Sequence, residues 1–178
     1  MITERKIYNN EIELRNLSPS DDLGHYLLWL KDDEINQFLE VRFSLPEDET
    51  KISSYVSSVN TSKDTFLFGI FHTREKIHIG NIKLGPINWN HLTAEIGILI
   101  GEKSYWGRGY ASEAISLLSD FAFNEIKLKK LTAGCYEQNI GSFKAFLKEG
   151  FIEEGRLKSQ WLYNEKRYDG VILGRVKE

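Results

Sequence analysis

One stretch constrains the fold more than any other. Ala94-Glu95-Ile96-Gly97-Ile98-Leu99-Ile100-Gly101 leads, three residues later, into Tyr105-Trp106-Gly107-Arg108-Gly109-Tyr110-Ala111. A run rich in isoleucine and closed by glycine reads as an inner strand. The glycine pair after it reads as a sharp turn that delivers the chain into a helix. The N–H groups of a first helical turn have no internal partner and sit at the positive end of the helix dipole, so main chain alone can hold a phosphate there. Gly107 and Gly109 remove the Cβ atoms that would keep a pyrophosphate away and tolerate positive φ. Arg108 between them adds a charged donor.

Two phosphate-binding loops are set aside on residues. A P-loop requires Gly-x-x-x-x-Gly-Lys-Ser/Thr, and no lysine follows Gly109. A dinucleotide fingerprint requires Gly or Ala at the sixth position, where Ser112 stands, and an earlier βαβ unit that this chain lacks.

Two further segments complete an ordered set. Tyr105-Trp106-Gly107-Arg108-Gly109-Tyr110-Ala111-Ser112-Glu113-Ala114 is followed by Asn139-Ile140-Gly141-Ser142-Phe143-Lys144-Ala145-Phe146-Leu147-Lys148-Glu149-Gly150-Phe151, then by Glu154-Gly155-Arg156-Leu157 and Tyr168-Asp169. From Ile12 onward this resembles the GNAT superfamily of N-acetyltransferases, in particular the RimJ/RimL-type branch of ribosomal-protein and small-amine acetyltransferases. Trp106 departs from the superfamily's usual Gln or Arg, and Phe146 replaces a frequent tyrosine.

The resemblance implies an acetyl-coenzyme A dependent transfer to a primary amine by direct attack. Its pyrophosphate would lie on Trp106, Gly107, Arg108, Gly109, Tyr110 and Ala111. Its pantetheine arm would pair like an added strand with Ile98, Leu99 and Ile100, with Asn139 and Phe146 beside it. Asn139 could equally cap its helix, and both roles are compatible. The attacking amine is protonated at neutral pH, so a base is needed. Glu95, flanked by apolar residues, is the leading candidate, directly or through water; bonding to a neighbouring strand or lysine is the alternative. Phe146 cannot protonate the departing thiolate, which leaves Ser142, Tyr136, or backbone N–H groups with a water. Phe38, Glu40, Arg42, His78 and Trp89 are candidate acceptor-site residues, since the segment between the first helices borders the acceptor pocket in this family. His78 could instead be structural, and His91 lies in a loop beside Trp89.

The acceptor is expected to be a small amine: an amino sugar, free or nucleotide-linked, a polyamine or an amino acid. A protein N-terminus is the enzymatic alternative, and a coenzyme A binding module without catalysis is the alternative of another class. A chain of 178 residues with 41% apolar content can bury a core as one domain, 1–178. A net charge of −3 argues against nucleic acid. Cys135 alone forms no intrachain disulfide, and Thr3-Glu4-Arg5-Lys6 shows no leader, which together point to the cytoplasm and away from a membrane. No cluster has metal-ligand spacing. By analogy with the family it resembles, the terminal hairpin with Trp161 and Tyr163 implies a possible homodimer.

The expected fold is α/β (α+β), a mixed central sheet of six to seven strands flanked by helices, with a splayed coenzyme A cleft. The strands are Ile12–Arg15, Phe66–Phe71, Ile77–Leu84, Thr93–Ile100, Leu131–Tyr136 and a closing hairpin, Arg156–Tyr163 with Tyr168–Arg175. A helix should start at Ser18-Pro19-Ser20-Asp21 and run to about Lys31. Others should follow Pro46, span about Gly109 to Glu125, and start at Asn139.

Overall fold

The computed structural model describes residues 6–177. The period-two segments pair as strands β1 (Lys6–Tyr8), β2 (Ile12–Asn16), β3 (Phe66–His72), β4 (His78–Leu84), β5 (Thr93–Ile100), β6 (Lys130–Tyr136), β7 (Ile152–Tyr163) and β8 (Lys166–Val176). They form one sheet in the order β1-β2-β3-β4-β5-β6-β8-β7. Only β5 and β6 are parallel, because α4 (Tyr110–Asn124) carries the chain back between them. The eighth strand, beyond the expected six to seven, is β1, whose three residues are too short to show alternation.

Alternation along the strands divides the side chains between two helical layers. Leu14, Phe68, Ile70, Ile82 and Ile96 are buried in the cluster that includes Ala114, Leu118 and Phe121 of α4. The Phe121 ring meets Phe66 and Phe68 edge-on at 5.6 and 5.9 Å. On the opposite face, α1 (Gly24–Lys31) and α3 (Glu49–Asn60) lay Trp29, Leu30, Ile52 and Val56 over Leu67. α2 (Asp33–Asn36) and a 3-10 turn, Glu40–Phe43, bridge α1 to α3. Each such side chain contributes about 1.5–3 kcal/mol on full burial.

Local signals explain most boundaries. Asp48 accepts from the N–H groups of Thr50 and Lys51 and starts α3 after Pro46. Asn139 accepts from Ser142 N–H at 3.2 Å and starts α5 (Ile140–Lys148). Asn164 and Glu165, at φ of 47° and 61°, make the two-residue turn of the closing hairpin.

The helix expected from Ser18 starts at Gly24 instead. The Asp21 carboxylate turns back to accept from Ser18 N–H at 2.7 Å and pairs with Arg15 at 3.0 Å, which closes a turn rather than a helix. Cys135 lies inside β6, where burial pushes its thiol up to about 11 and keeps it protonated. The charged start Thr3-Glu4-Arg5 lies outside the described residues. Within them no helix is long and apolar enough to cross a membrane.

Where β5 ends, the backbone meets an indole. A Cβ on Gly101 would stand 1.9 Å from the Trp29 ring. Trp29 is 4% exposed, lies edge-on to His78 at 4.8 Å and donates its Nε1–H to Glu102 Oε1 at 3.1 Å. Gly101→Ala is therefore expected to destabilise the chain by about 1–3 kcal/mol through overpacking, read as a lower midpoint in urea unfolding with unchanged slope.

Candidate active site

The site is built on a break in the sheet. β5 pairs with β6 through three residues only, Thr93↔Lys130, Ala94↔Leu131 and Glu95↔Thr132, while on its other side it stays paired with β4 as far as Ile100. Glu95 C=O accepts from Gly85 N–H at 2.8 Å, on the β4 side. Since backbone polar groups alternate in direction along a strand, those of Ile96, Ile98 and Ile100 face the gap that opens towards β6. The Ile100 carbonyl is already taken by Trp106 Nε1–H at 2.8 Å. Trp106 thus ties the glycine loop to the end of the strand, a structural duty that its place in the phosphate loop did not reveal.

In that loop Gly107 and Gly109 hold φ of 72° and 91°, and a Cβ on either would meet nothing within 4 Å. The conformation selects glycine, and the space beside it is open. No side chain caps α4, so its first-turn N–H groups are free of a capping oxygen. Tyr110 and Ala111 form that turn, and the exposed Arg108 guanidinium lies 5.7 Å from the Tyr105 ring centroid. Beneath the loop, Tyr105 donates to Glu75 Oε2 at 2.5 Å, and this bond pushes the phenol up to about 12. Tyr105 and Tyr110 both pack on the buried His72. A pyrophosphate fits such a cradle: open main-chain donors, a nearby arginine and a rigid floor.

On the α1/α3 face of the sheet a cavity of about 720 Å³ reaches Gly97, Ile98 and Leu99 of the freed strand. Its walls come from α1, α3, the 3-10 turn and β3 to β5, with Leu30, Ile52 and Leu67 among the apolar residues and Asn81 and Lys83 on β4 among the polar ones. Sequence reasoning missed Asn81 and Lys83. The available signal was two polar residues, two apart and so on one face, between the apolar Ile79, Ile82 and Leu84.

Glu95 is exposed on the same face of β5 as Gly97, about 7 Å along the strand from it. It does not line the cavity itself. Ser142, half-buried in the first turn of α5, makes no side-chain hydrogen bond among the described residues. Tyr136 is 3% exposed, stacked on Trp161 at 4.4 Å, and its hydroxyl accepts from Arg42 at 2.5 Å.

Several expected roles are corrected. Phe146 is 2% exposed and packs edge-on against Phe151 at 5.0 Å, which leaves almost no ring surface for a coenzyme arm. Arg42 donates to Tyr136, Leu39 O and Leu162 O, so it clamps the 3-10 turn to β6 and β7. Phe38 packs on Tyr136 and Tyr163, at 5.3 and 6.0 Å, in the same clamp. Glu40 is exposed outside the cavity lining, and Trp89 anchors its own loop by donating to Lys63 O at 3.2 Å. His78 is held between Trp29 and Phe71, with Nε2 2.9 Å from Asn81 Oδ1, and is structural. His91 is exposed in its loop. Trp161 stacks on Tyr136 at 4.4 Å and Tyr163 packs on Phe38 at 6.0 Å, and both remain half-buried.

Comparison with known proteins agrees with this geometry. Residues 11–152 match the acetyltransferase (GNAT) domain family. The chain belongs to the GNAT acetyltransferase family. It is 32% identical to the probable N-acetyltransferase YjcK of Bacillus subtilis, over 97% of this chain and 95% of that one. It is 30% identical to spermidine N(1)-acetyltransferase of Vibrio cholerae over 53% of this chain and 54% of the relative. A crystal structure of spermidine N-acetyltransferase from Vibrio cholerae in complex with CoA and spermine superposes with TM-score 0.83 at 22% identity, covering 94% of this chain and 96% of that one. As a GNAT enzyme this chain is an acetyl-CoA-dependent acyltransferase, and acetyl-CoA supplies the thioester-bound acetyl group.

Two outcomes follow for the site. Trp106→Phe keeps the ring but deletes the bond to Ile100 O, so KM for acetyl-CoA should rise several-fold while stability changes by only about 1 kcal/mol. Burial holds the His78 pKa below its ordinary value. The unfolded chain then binds a proton that the folded one refuses, and stability should fall as pH drops below about 6.5. Urea midpoints measured on either side of that pH should show the loss, and His78→Gln should flatten it.

Proposed function

We propose that this GNAT enzyme, working as one unit across residues 1–178, acetylates the primary amine of a small molecule by direct attack on the bound acetyl-CoA. The observation that carries this reading is the cavity of about 720 Å³ that reaches Gly97 to Leu99, the stretch of β5 freed from β6. A volume in the range of small-ligand pockets supports a small acceptor over a folded protein surface. The relatives named for spermidine support a small amine as the class.

In this reading the loop from Trp106 to Ala111 holds the pyrophosphate through main-chain N–H groups, with Arg108 alongside. Ile96 and Ile98 offer their backbone groups to the amides of the arm, and Asn139 keeps its NH₂ for it while its oxygen caps α5. Glu95 takes the proton from the attacking ammonium through a water that spans the step from Gly97. Ser142 is the hydroxyl that donates a hydrogen bond to the departing thiolate, which takes its proton from water, because Tyr136 is buried under Trp161 and engaged by Arg42.

Glu95→Gln keeps size and removes the base. Its kcat for thiol release should fall by about tenfold to a hundredfold, with coenzyme A affinity unchanged by calorimetry. Full kcat in this variant would remove Glu95 from the mechanism. Thiol release from none of a broad amine panel, with coenzyme A still bound, would favour a binding module over an enzyme.

A further inference from the structure

The charge of the cavity does not suit a polycation. Its wall carries two lysines, Lys51 at the start of α3 and Lys83 on β4, against a single carboxylate, Glu47. Among the described residues no carboxylate lies within 4.0 Å of either ammonium group. Lys83 is half-buried, opposite Leu67 on β3 and Gly97 on β5. A Cβ on Gly97 would meet nothing within 4 Å, so the space beside Lys83 is open. Asn81, on the same face two residues away and 5% exposed, has an amide nitrogen with no partner in the protein. A partly buried cation and an unanswered donor, set side by side at the wall of a cavity, both lack an oxygen acceptor. The rest of the wall is largely apolar, with Leu30, Leu39, Val41, Ile52 and Leu99, and carries the side chains of Tyr26, Ser44 and Tyr55 among them.

We infer that the acceptor is a primary amine carrying an anionic group on an apolar frame, with the anion held by Lys83 and the apolar frame against the α1/α3 wall. The inference rests on the acceptor reading above and narrows it. A polyamine brings further ammonium groups towards two lysines, and a neutral sugar leaves the Lys83 charge unanswered. A carboxylate or a phosphoryl group supplies the missing oxygens equally well, and charge-assisted contacts to Lys83 would carry the discrimination.

The test is a matched series titrated onto the full-length, coenzyme A-loaded protein by calorimetry: leucine, its neutral amide, isoamylamine, the aminophosphonate analogue of leucine, and spermidine. At least one of the two anionic members should bind about tenfold or more tightly than the amide and the simple amine. Which of the two binds better identifies the anion. Lys83→Met should erase that preference with coenzyme A affinity and melting temperature retained, and Lys83→Glu should shift it towards spermidine. Lys83→Gln, which keeps a long polar side chain and removes only the charge, serves as the second variant should strand β4 tolerate neither change, and Lys51→Met should leave the preference in place.

Tighter binding of spermidine or of the neutral amines by the native chain would overturn the inference, as would an anion preference that survives Lys83→Met in a folded protein. Thiol release with the same amines separates the two readings. Anion-selective binding with no release would sink the acetyl-transfer reading and leave the recognition rule standing. Release from neutral amines alone would do the reverse.

Discussion

The parting of β5 from β6 after Glu95 is the constraint on which the rest of the site depends. A parallel pair must be joined by a crossover, and here the crossover is α4, which has to start directly after the glycine loop. The same geometry therefore produces the gap with its unpaired backbone and places a helix N-terminus at the mouth of that gap. The gap is not carved from side chains. It is what remains when one ladder stops after three rungs.

The side chains around the groove mostly hold it in place. Trp106 spans from loop to strand, Tyr105 and Glu75 lock the floor, and Arg42 binds the 3-10 turn to β6 and β7. This explains why Arg42 and Phe38, residue types that suit a substrate pocket, belong to the frame. A guanidinium with three oxygen partners in the protein has little left to offer a ligand.

Much of this was legible in the sequence wherever the signal was local. The strands from Phe66 to Ile100, the helix after Pro46, the cap at Asn139 and the turn at Asn164-Glu165 rest on neighbours a few residues apart, and they appear as expected. Ser18 to Asp21 misled because the Asp21 carboxylate, expected in the first turn of a helix, closes a turn with Ser18 N–H and pairs with Arg15. The site followed the same rule. The glycine loop was readable, whereas the fates of His78, Trp89 and Phe146 depended on rings and carbonyls brought near only by the fold. Asn81 and Lys83 acquire meaning only when α1 and α3 roof the strand face on which they stand.

The short ladder has a mechanical side. Five strands on one flank and three on the other are joined within the sheet by Thr93 to Glu95 alone, so the sheet is two leaves on a narrow hinge, steadied by the core under α4. A ligand lying along the gap touches both leaves and acts as a wedge-shaped splice between them. Since it binds the closed leaves and not the unfolded chain, it adds about 2.7 kcal/mol to their cohesion at a hundred times its dissociation constant. The cohesion of the two leaves would then rise with the concentration of whatever occupies the gap.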